Sequence, residues 1–258
     1  MRLLQEMRNQ TLSDDFGIKP SEGSFIIALA GNPNVGKSTI FNAMTGLRQH
    51  TGNWPGKTVG NAQGTYIHKG RSYLLVDLPG TYSLLSNSVE EEIARDFICF
   101  GQPDATIVVV DATCLERNLN LALQVMEISS KVVVCVNLLD EAHKKDIYID
   151  MKTLADKLGV PIIGTVARAG QGLEELRDAV YSMTAGTLLY HPFQITYSPE
   201  VEELIGTYLP RFQNLKTGPL NPRWVMLRMM EGDQGLINKI FRYIEHYSYM
   251  QTSKEASL

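Results

Sequence analysis

"FIIALAGNPNVGKSTIFNAM", Phe25 to Met44, changes character twice in a short span. Phe25 to Ala30 is a nearly unbroken apolar run, the pattern of a strand buried on both faces. Gly31 to Ser38 then fits G-x-x-x-x-G-K-[ST], and Ile40, Phe41 and Met44 continue with helical spacing. A strand, a glycine-bounded loop and a helix, in that order, are what make such a match credible as a phosphate-binding loop. Gly31 and Gly36 let the backbone N–H groups of Asn32, Asn34 and Val35 curl around phosphates, with Pro33, which has no N–H, shaping the turn between them. Lys37 would reach the β- and γ-phosphates, the Ser38 hydroxyl would bind Mg²⁺, and Thr39 follows inside the first helical turn. The positive end of that helix adds to the attraction.

Four further apolar runs follow, "SYLLVD", "ATIVVVD", "KVVVCVN" and "VPIIGTV", each nearly continuous and each closing near a polar residue or glycine. "GTYIHKGRSYLLVD" predicts a hairpin around Lys69 and Gly70, giving one antiparallel edge strand. Helical patterns alternate with the runs. "DMKTLADKLGVP" starts on an N-cap, Asp150, and stops at Gly159 and Pro161, while "ERNLNLALQVMEI" is apolar on two stripes. Such alternation implies a three-layer α/β fold with right-handed crossovers. After about residue 185 the strand runs cease, and "SPEVEELIGTYL", "PRWVMLRMMEGD" and "QGLINKIFRYIEHY" predict helices, two of them opened by Ser-Pro or Asn-Pro. The expected organisation is a polar leader or linker over 1–24, an α/β domain over 25–185 and a small helical domain over 186–258.

The chain has 258 residues and a formal charge of -4, which argues against a generic nucleic-acid binder, so no nucleic-acid partner is expected. The start is too polar for a signal peptide, and no apolar run approaches the ~18 residues of a membrane span, so a soluble chain is expected. Cys99, Cys114 and Cys135 sit in apolar surroundings and read as reduced core residues. The five histidines are scattered along the sequence, and no metal site is assigned to them.

Two more sites complete the phosphate loop. In "DLPGT", Asp77 ends a strand, where it can hold the Mg²⁺ shell, and Gly80 can offer its N–H to a γ-phosphate. Thr81 stands where many GTPases carry a water-positioning glutamine; a hydroxyl without a neighbouring base is a poor proton acceptor. In "CVNLLDEA", Asn137 and Asp140 fit Asn-Lys-x-Asp with Leu138 in place of lysine. A carboxylate at Asp140 can accept from the N1–H and N2–H₂ edge of guanine, whereas adenine leaves it unpaired. "TVARAGQG" supplies Val166, Ala167 and Arg168, with the Ala167 N–H expected to meet the guanine oxygen.

Together "GNPNVGKSTIFNAMTG", "GNWPGKTV", "LVDLPGTYSL", "DATCLERNLNLALQ" and "VNLLDEAHKKDIYID" resemble the cytosolic part of the ferrous iron transport protein B (FeoB) family, from about Phe25 to Tyr181. "RWVMLRMMEGD" is similar to that family's helical segment. The resemblance implies a Ras-like P-loop GTPase fold, with a mostly parallel six-stranded sheet and one antiparallel edge strand, followed by a small all-helical domain. It implies slow, Mg²⁺-dependent hydrolysis of GTP to GDP, coupled to a membrane permease for ferrous iron and to small accessory proteins, with an oligomer of the whole transporter among its expectations. The place would be the cytoplasmic face of a bacterial inner membrane. Thr58, after Gly56, matches a threonine that closes on Mg²⁺ with Ser38 and Asp77. Asn34 matches a residue that holds activating K⁺, with Gly52 and Trp54 where a loop lends carbonyls. Asn34, Lys37, Thr58 and Gly80 would then carry catalysis. A cation beside the phosphates offsets charge as an arginine finger does. Two other readings are an RNA-associated ribosome-assembly GTPase, which the net charge disfavours, and a nucleotide-gated interaction switch in which hydrolysis is incidental.

Overall fold

Every apolar run becomes a strand, and the glycine-bounded loop joins a strand to a helix. The computed structural model describes residues 2–46, 49–85, 88–187, 190–214 and 217–255. In chain order the elements are α1 (Arg2–Phe16), β1 (Phe25–Gly31), α2 (Lys37–Thr45), β2 (Gln49–Asn53), β3 (Gly60–His68), β4 (Arg71–Asp77), α3 (Val89–Phe100), β5 (Ala105–Asp111) and α4 (Leu115–Ile128). They continue with β6 (Val132–Asn137), α5 (Leu139–Lys144), α6 (Met151–Leu158), β7 (Ile162–Gly164), α7 (Leu173–Ala185), α8 (Pro199–Asn214), α9 (Pro222–Glu231) and α10 (Gln234–Glu255).

The strands form one sheet in the order β2-β3-β4-β1-β5-β6-β7. Pairing from β4 across β1, β5 and β6 to β7 is parallel. β3 runs antiparallel to β4 through the Lys69–Gly70 turn, where both residues have positive φ. The sheet therefore has the expected character with one strand more than expected. β2 pairs antiparallel with β3 and takes the edge, from Gln49↔Gly64 to Asn53↔Gly60. Its sequence, QHTGN, is polar and carries no strand periodicity, so only the neighbouring strand reveals it.

Because successive side chains of a strand point to opposite faces, β1 feeds two cores. Ile26, Ala28 and Ala30 pack with α3, α4 and the C-terminal helices. Ile27 and Leu29 pack on the other face with Ile40 and Phe41 of α2 and Val180 of α7. The parallel strands end together at their C-terminal edge, and β1 lies between β4 and β5, which follow it in the chain. That reversal of strand order opens a crevice beyond the strand ends, where α/β proteins place ligands.

The expectation of a leader over 1–24 is corrected. α1 is a helix whose Leu12 and Phe16 are buried, with Ile18 beyond its end, in the same apolar cluster as β1 and α3. Sparse apolar positions in a polar segment hide this packing in the sequence. Cys99 and Cys135 are buried as expected, but Cys114 is exposed just before α4. At the C-terminal end, Pro222 occupies the first turn of α9 and the Asn221 side chain accepts from the Arg223 N–H at 3.0 Å. No described helix is long and apolar enough to cross a membrane.

Candidate nucleotide site

The loop between β1 and α2 carries two residues with left-handed backbone, Asn34 (φ 66°) and Gly36 (φ 84°). A Cβ on Gly36 would lie 2.3 Å from Asn137 Nδ2, and one on Gly31 would lie 2.7 Å from the Val109 carbonyl. Both glycines are thus demanded by close approach, and at Gly36 also by φ. The loop encloses a cavity of about 500 Å³, lined by Asn32, Pro33, Asn34 and Gly36 to Thr39, with Gly80 facing them. Asn32 is buried at its base, and its side-chain oxygen and nitrogen have no hydrogen-bond partner.

Lys37 Nζ donates to Asp77 Oδ1, so the strand-end carboxylate and the loop lysine meet directly. Burial raises the Asp77 carboxyl above its ordinary range, and the Lys37 ammonium opposes that rise. Gly80 is set by the backbone around it. The Leu78 N–H donates to Leu29 at 3.0 Å, and the Thr81 N–H donates to Gly31 at 3.2 Å. The Thr81 hydroxyl donates to the Ser83 carbonyl at 2.6 Å and accepts from the Ser83 N–H at 3.2 Å. It is buried and occupied, which agrees with Thr81 being no general base.

Asn137, at the end of β6, ties three segments together. Its Nδ2 donates to the Val35 carbonyl at 3.0 Å, and its Oδ1 accepts from the Thr165 hydroxyl at 2.9 Å and the Ala167 N–H at 3.1 Å. The phosphate loop and the 165–168 loop are held in register by one amide. The Ala167 N–H, expected to face the base oxygen, is committed to Asn137 in this structure. Thr165 was not singled out by its sequence, although a hydroxyl just past β7 is the type of group such a clamp requires. Leu138 has φ 64° and turns the chain sharply into α5. Asp140 Oδ1 is buried without a partner, while Oδ2 accepts from Arg168, which also donates to Glu141 at 2.9 Å. Desolvation pushes the Asp140 carboxyl up, but the Arg168 hydrogen bond and charge outweigh it and hold the group below its ordinary value.

The β2–β3 connection stands apart from the cavity. Trp54 is buried, its N–H donates to Val59 and its carbonyl accepts from the Lys57 N–H, each at 3.0 Å. Gly56 and Thr58 are exposed in this turn, and Gly52 is paired in β2. None of these residues, nor Trp54, lines the phosphate cavity. Away from the site, the fold brings His68 of β3 to Glu174 and Asp178 of α7, a grouping the scattered histidines do not announce. Lys69 pairs with Asp178 and Arg177 with Glu174, which neutralises both carboxylates.

A phosphate loop at the sheet's crevice, an acidic strand end against its lysine and an Asn-x-x-Asp corner after β6 define a Ras-like P-loop nucleotide-binding domain. The family model described as ferrous iron transport protein B matches residues 25–180. The chain is 40% identical over 215 residues to the Fe(2+) transporter FeoB of Escherichia coli (strain K12), covering 80% of this chain and 27% of that protein. It is 38% identical over 221 residues to the Fe(2+) transport protein A/Fe(2+) transporter FeoB fusion protein of Porphyromonas gingivalis, covering 84% and 26%. Among solved structures, the cytosolic domain of the T. maritima FeoB iron transporter in a GDP form aligns with TM-score 0.77 and 36% identity over 87% of each chain. The L. pneumophila FeoB cytosolic domain aligns with TM-score 0.76 and 31% identity over 86% of this chain and 88% of that one. The chain belongs to the ferrous iron transport protein B family, in which it corresponds to the N-terminal G domain and the helices after it. It spans about a quarter of the length of the curated relatives it matches.

Proposed function

We propose that the chain binds GTP and hydrolyses it slowly to GDP and phosphate, and that this cycle regulates ferrous iron passage through a membrane permease. The observation that carries the guanine assignment is Asp140 Oδ1, a buried carboxylate oxygen with no partner beside the Asn137 clamp. A buried acceptor left unpaired is costly, and the N–H groups on the guanine edge satisfy it. The T. maritima relative was solved in GDP and GMPPNP forms, which agrees with that assignment.

The donor set also suits the implied cations. The Ser38 hydroxyl and Asp77 carboxylate are hard oxygen ligands, as Mg²⁺ prefers, with Thr58 as a third from the loop. Asn34 lines the cavity and has a left-handed backbone conformation. It is the proposed protein ligand for K⁺; the carbonyls of Gly52 and Trp54, which stand apart from the cavity here, would join it only after the β2–β3 loop moves. These cations supply positive charge against the oxygens that gain charge as the β–γ bridge breaks. On the protein's side, Lys37 leaves Asp77 for the phosphates, and the Gly80 N–H meets the γ-phosphate. The attacking water adds its oxygen to the γ-phosphorus, the bridge oxygen leaves with GDP, and inorganic phosphate carries the water's remaining atoms.

Titration with GTP and ATP, followed by phosphate release in KCl and NaCl, tests this. Tight binding of GTP over ATP and faster turnover in K⁺ are expected. Equal affinity for the two nucleotides would sink the guanine assignment, and equal turnover in the two salts would sink the role of K⁺.

A further inference from the structure

α1 ends against the loop that carries Thr58. Phe16, Trp54 and Phe97 form a buried triangle of edge-on rings, with centroids 6.2 Å apart for Phe16–Trp54, 5.8 Å for Trp54–Phe97 and 5.2 Å for Phe16–Phe97. Edge-to-face rings at such separations attract beyond their shared burial. Gly17 then turns the chain with φ 64°, and the position of its missing Cβ lies 3.2 Å from the Pro55 ring. The helix itself is pinned at Arg8, which donates to Asp104 at 2.8 Å, and the other oxygen of Asp104 accepts from the Ile26 N–H at the start of β1. In the same loop, Lys57 reaches Glu92 of α3 at 3.0 Å. The loop is thus held by both α1 and α3.

Gripped in this way, Thr58 is exposed and outside the phosphate cavity. Moving it to Ser38 and Asp77 requires the turn closed by Trp54 and Val59 to shift, and Trp54 is the part of that turn buried under Phe16. We propose that α1 is a built-in clasp that holds this loop open, with Phe16 as its positioning residue, so that α1 biases the domain toward the diphosphate state. The inference rests on the guanine-nucleotide reading above and adds a regulator to it: the segment before Phe25, where the family match begins. By reciprocity, a triphosphate that favours the closed loop must loosen α1, and anything that tightens α1 must weaken triphosphate binding.

Two measurements on the full chain test it. In the unaltered protein with Mg²⁺, amide exchange over residues 12–18 is compared between saturating GDP and saturating GMPPNP, and faster exchange with GMPPNP is expected. In Phe16→Ala, the affinity for GMPPNP relative to GDP should rise by about 10-fold, within the usual range of coupling between sites, while Phe16→Leu stays close to the parent. A merely structural role would lower both affinities together. Bound GMPPNP with α1 exchange identical to the GDP state would overturn the clasp, as would an unchanged affinity ratio in folded Phe16→Ala. If Phe16→Ala does not fold, the exchange comparison decides alone. Failure of GMPPNP and GDP to bind at all would sink the guanine reading and the clasp with it.

Discussion

Asp140 has one oxygen paired with Arg168 and the other buried with no partner. Arg168 keeps the carboxylate ionised, and the free oxygen is the acceptor that a base edge would meet. Replacing Asp140 with Asn keeps the shape but puts a donor where guanine also presents donors. Losing hydrogen bonds to a charged group at ~1.5–3 kcal/mol each should weaken GTP binding by at least ~100-fold. Xanthosine triphosphate, which offers an oxygen where guanine offers an amino group, should lose far less or gain. Calorimetric titration of both nucleotides against both proteins checks the pair. Asp140 was legible from spacing alone because Asn-x-x-Asp after a strand is a local pattern. The pairing of Asp140 with Arg168 was not, since it depends on two loops that meet only in the folded chain.

At the scale of elements, α3 joins three parts through one side chain. Glu92, in its first turn, accepts from Lys57 of the β2–β3 loop at 3.0 Å and from Lys239 of α10 at 2.6 Å. Hydrogen bonds from Lys239 and Lys57 hold the Glu92 carboxyl at about 2, against an ordinary 4.5. A depressed carboxyl contributes stability above its unfolded pKa and loses it as pH falls through the folded one. Glu92→Gln should therefore cost about 1 kcal/mol near neutral pH, the upper end for partly exposed pairs. The gap to the parent should close between pH 4.5 and about 2, which urea melts at stepped pH would follow. A gap that stays constant with pH would mean that Glu92 acts by packing, not by charge. Elements built from local pattern, such as β1 with its loop and α2, were plain in the sequence. α1 and β2 were not, because α1 is a mostly polar sequence with a weak helical apolar pattern and β2 is polar and owes its form to backbone pairing with β3.

At the scale of the molecule, one of the sheet's two cores runs on into the C-terminal helices. Leu121 and Val125 of α4 pack in the same cluster as Trp224 and Val225 of α9 and Leu236 and Ile240 of α10. Polar contacts reinforce that seam. Asn221 Nδ2 donates to the Glu127 carbonyl at 2.9 Å, and the Tyr197 hydroxyl donates to the Glu127 carboxylate at 2.6 Å. Burial, with Glu127 adding to it, pushes the Tyr197 hydroxyl up to about 12, so this contact persists through neutral pH. Elements that share a core this continuous should unfold together, although the sequence changes character near residue 185. Nucleotide binding at the phosphate loop should then stabilise the C-terminal helices it does not touch. With Mg²⁺ and GDP at about 100 times the dissociation constant, the gain is about 2.7 kcal/mol, or roughly 5–10 °C for a chain of this size. Calorimetry should show one endotherm that moves as a unit, coincident with the loss of helical circular dichroism. Two endotherms, of which only one follows GDP, would show instead that the helices form a separate folding unit and that the seam along α4 is too weak to couple them.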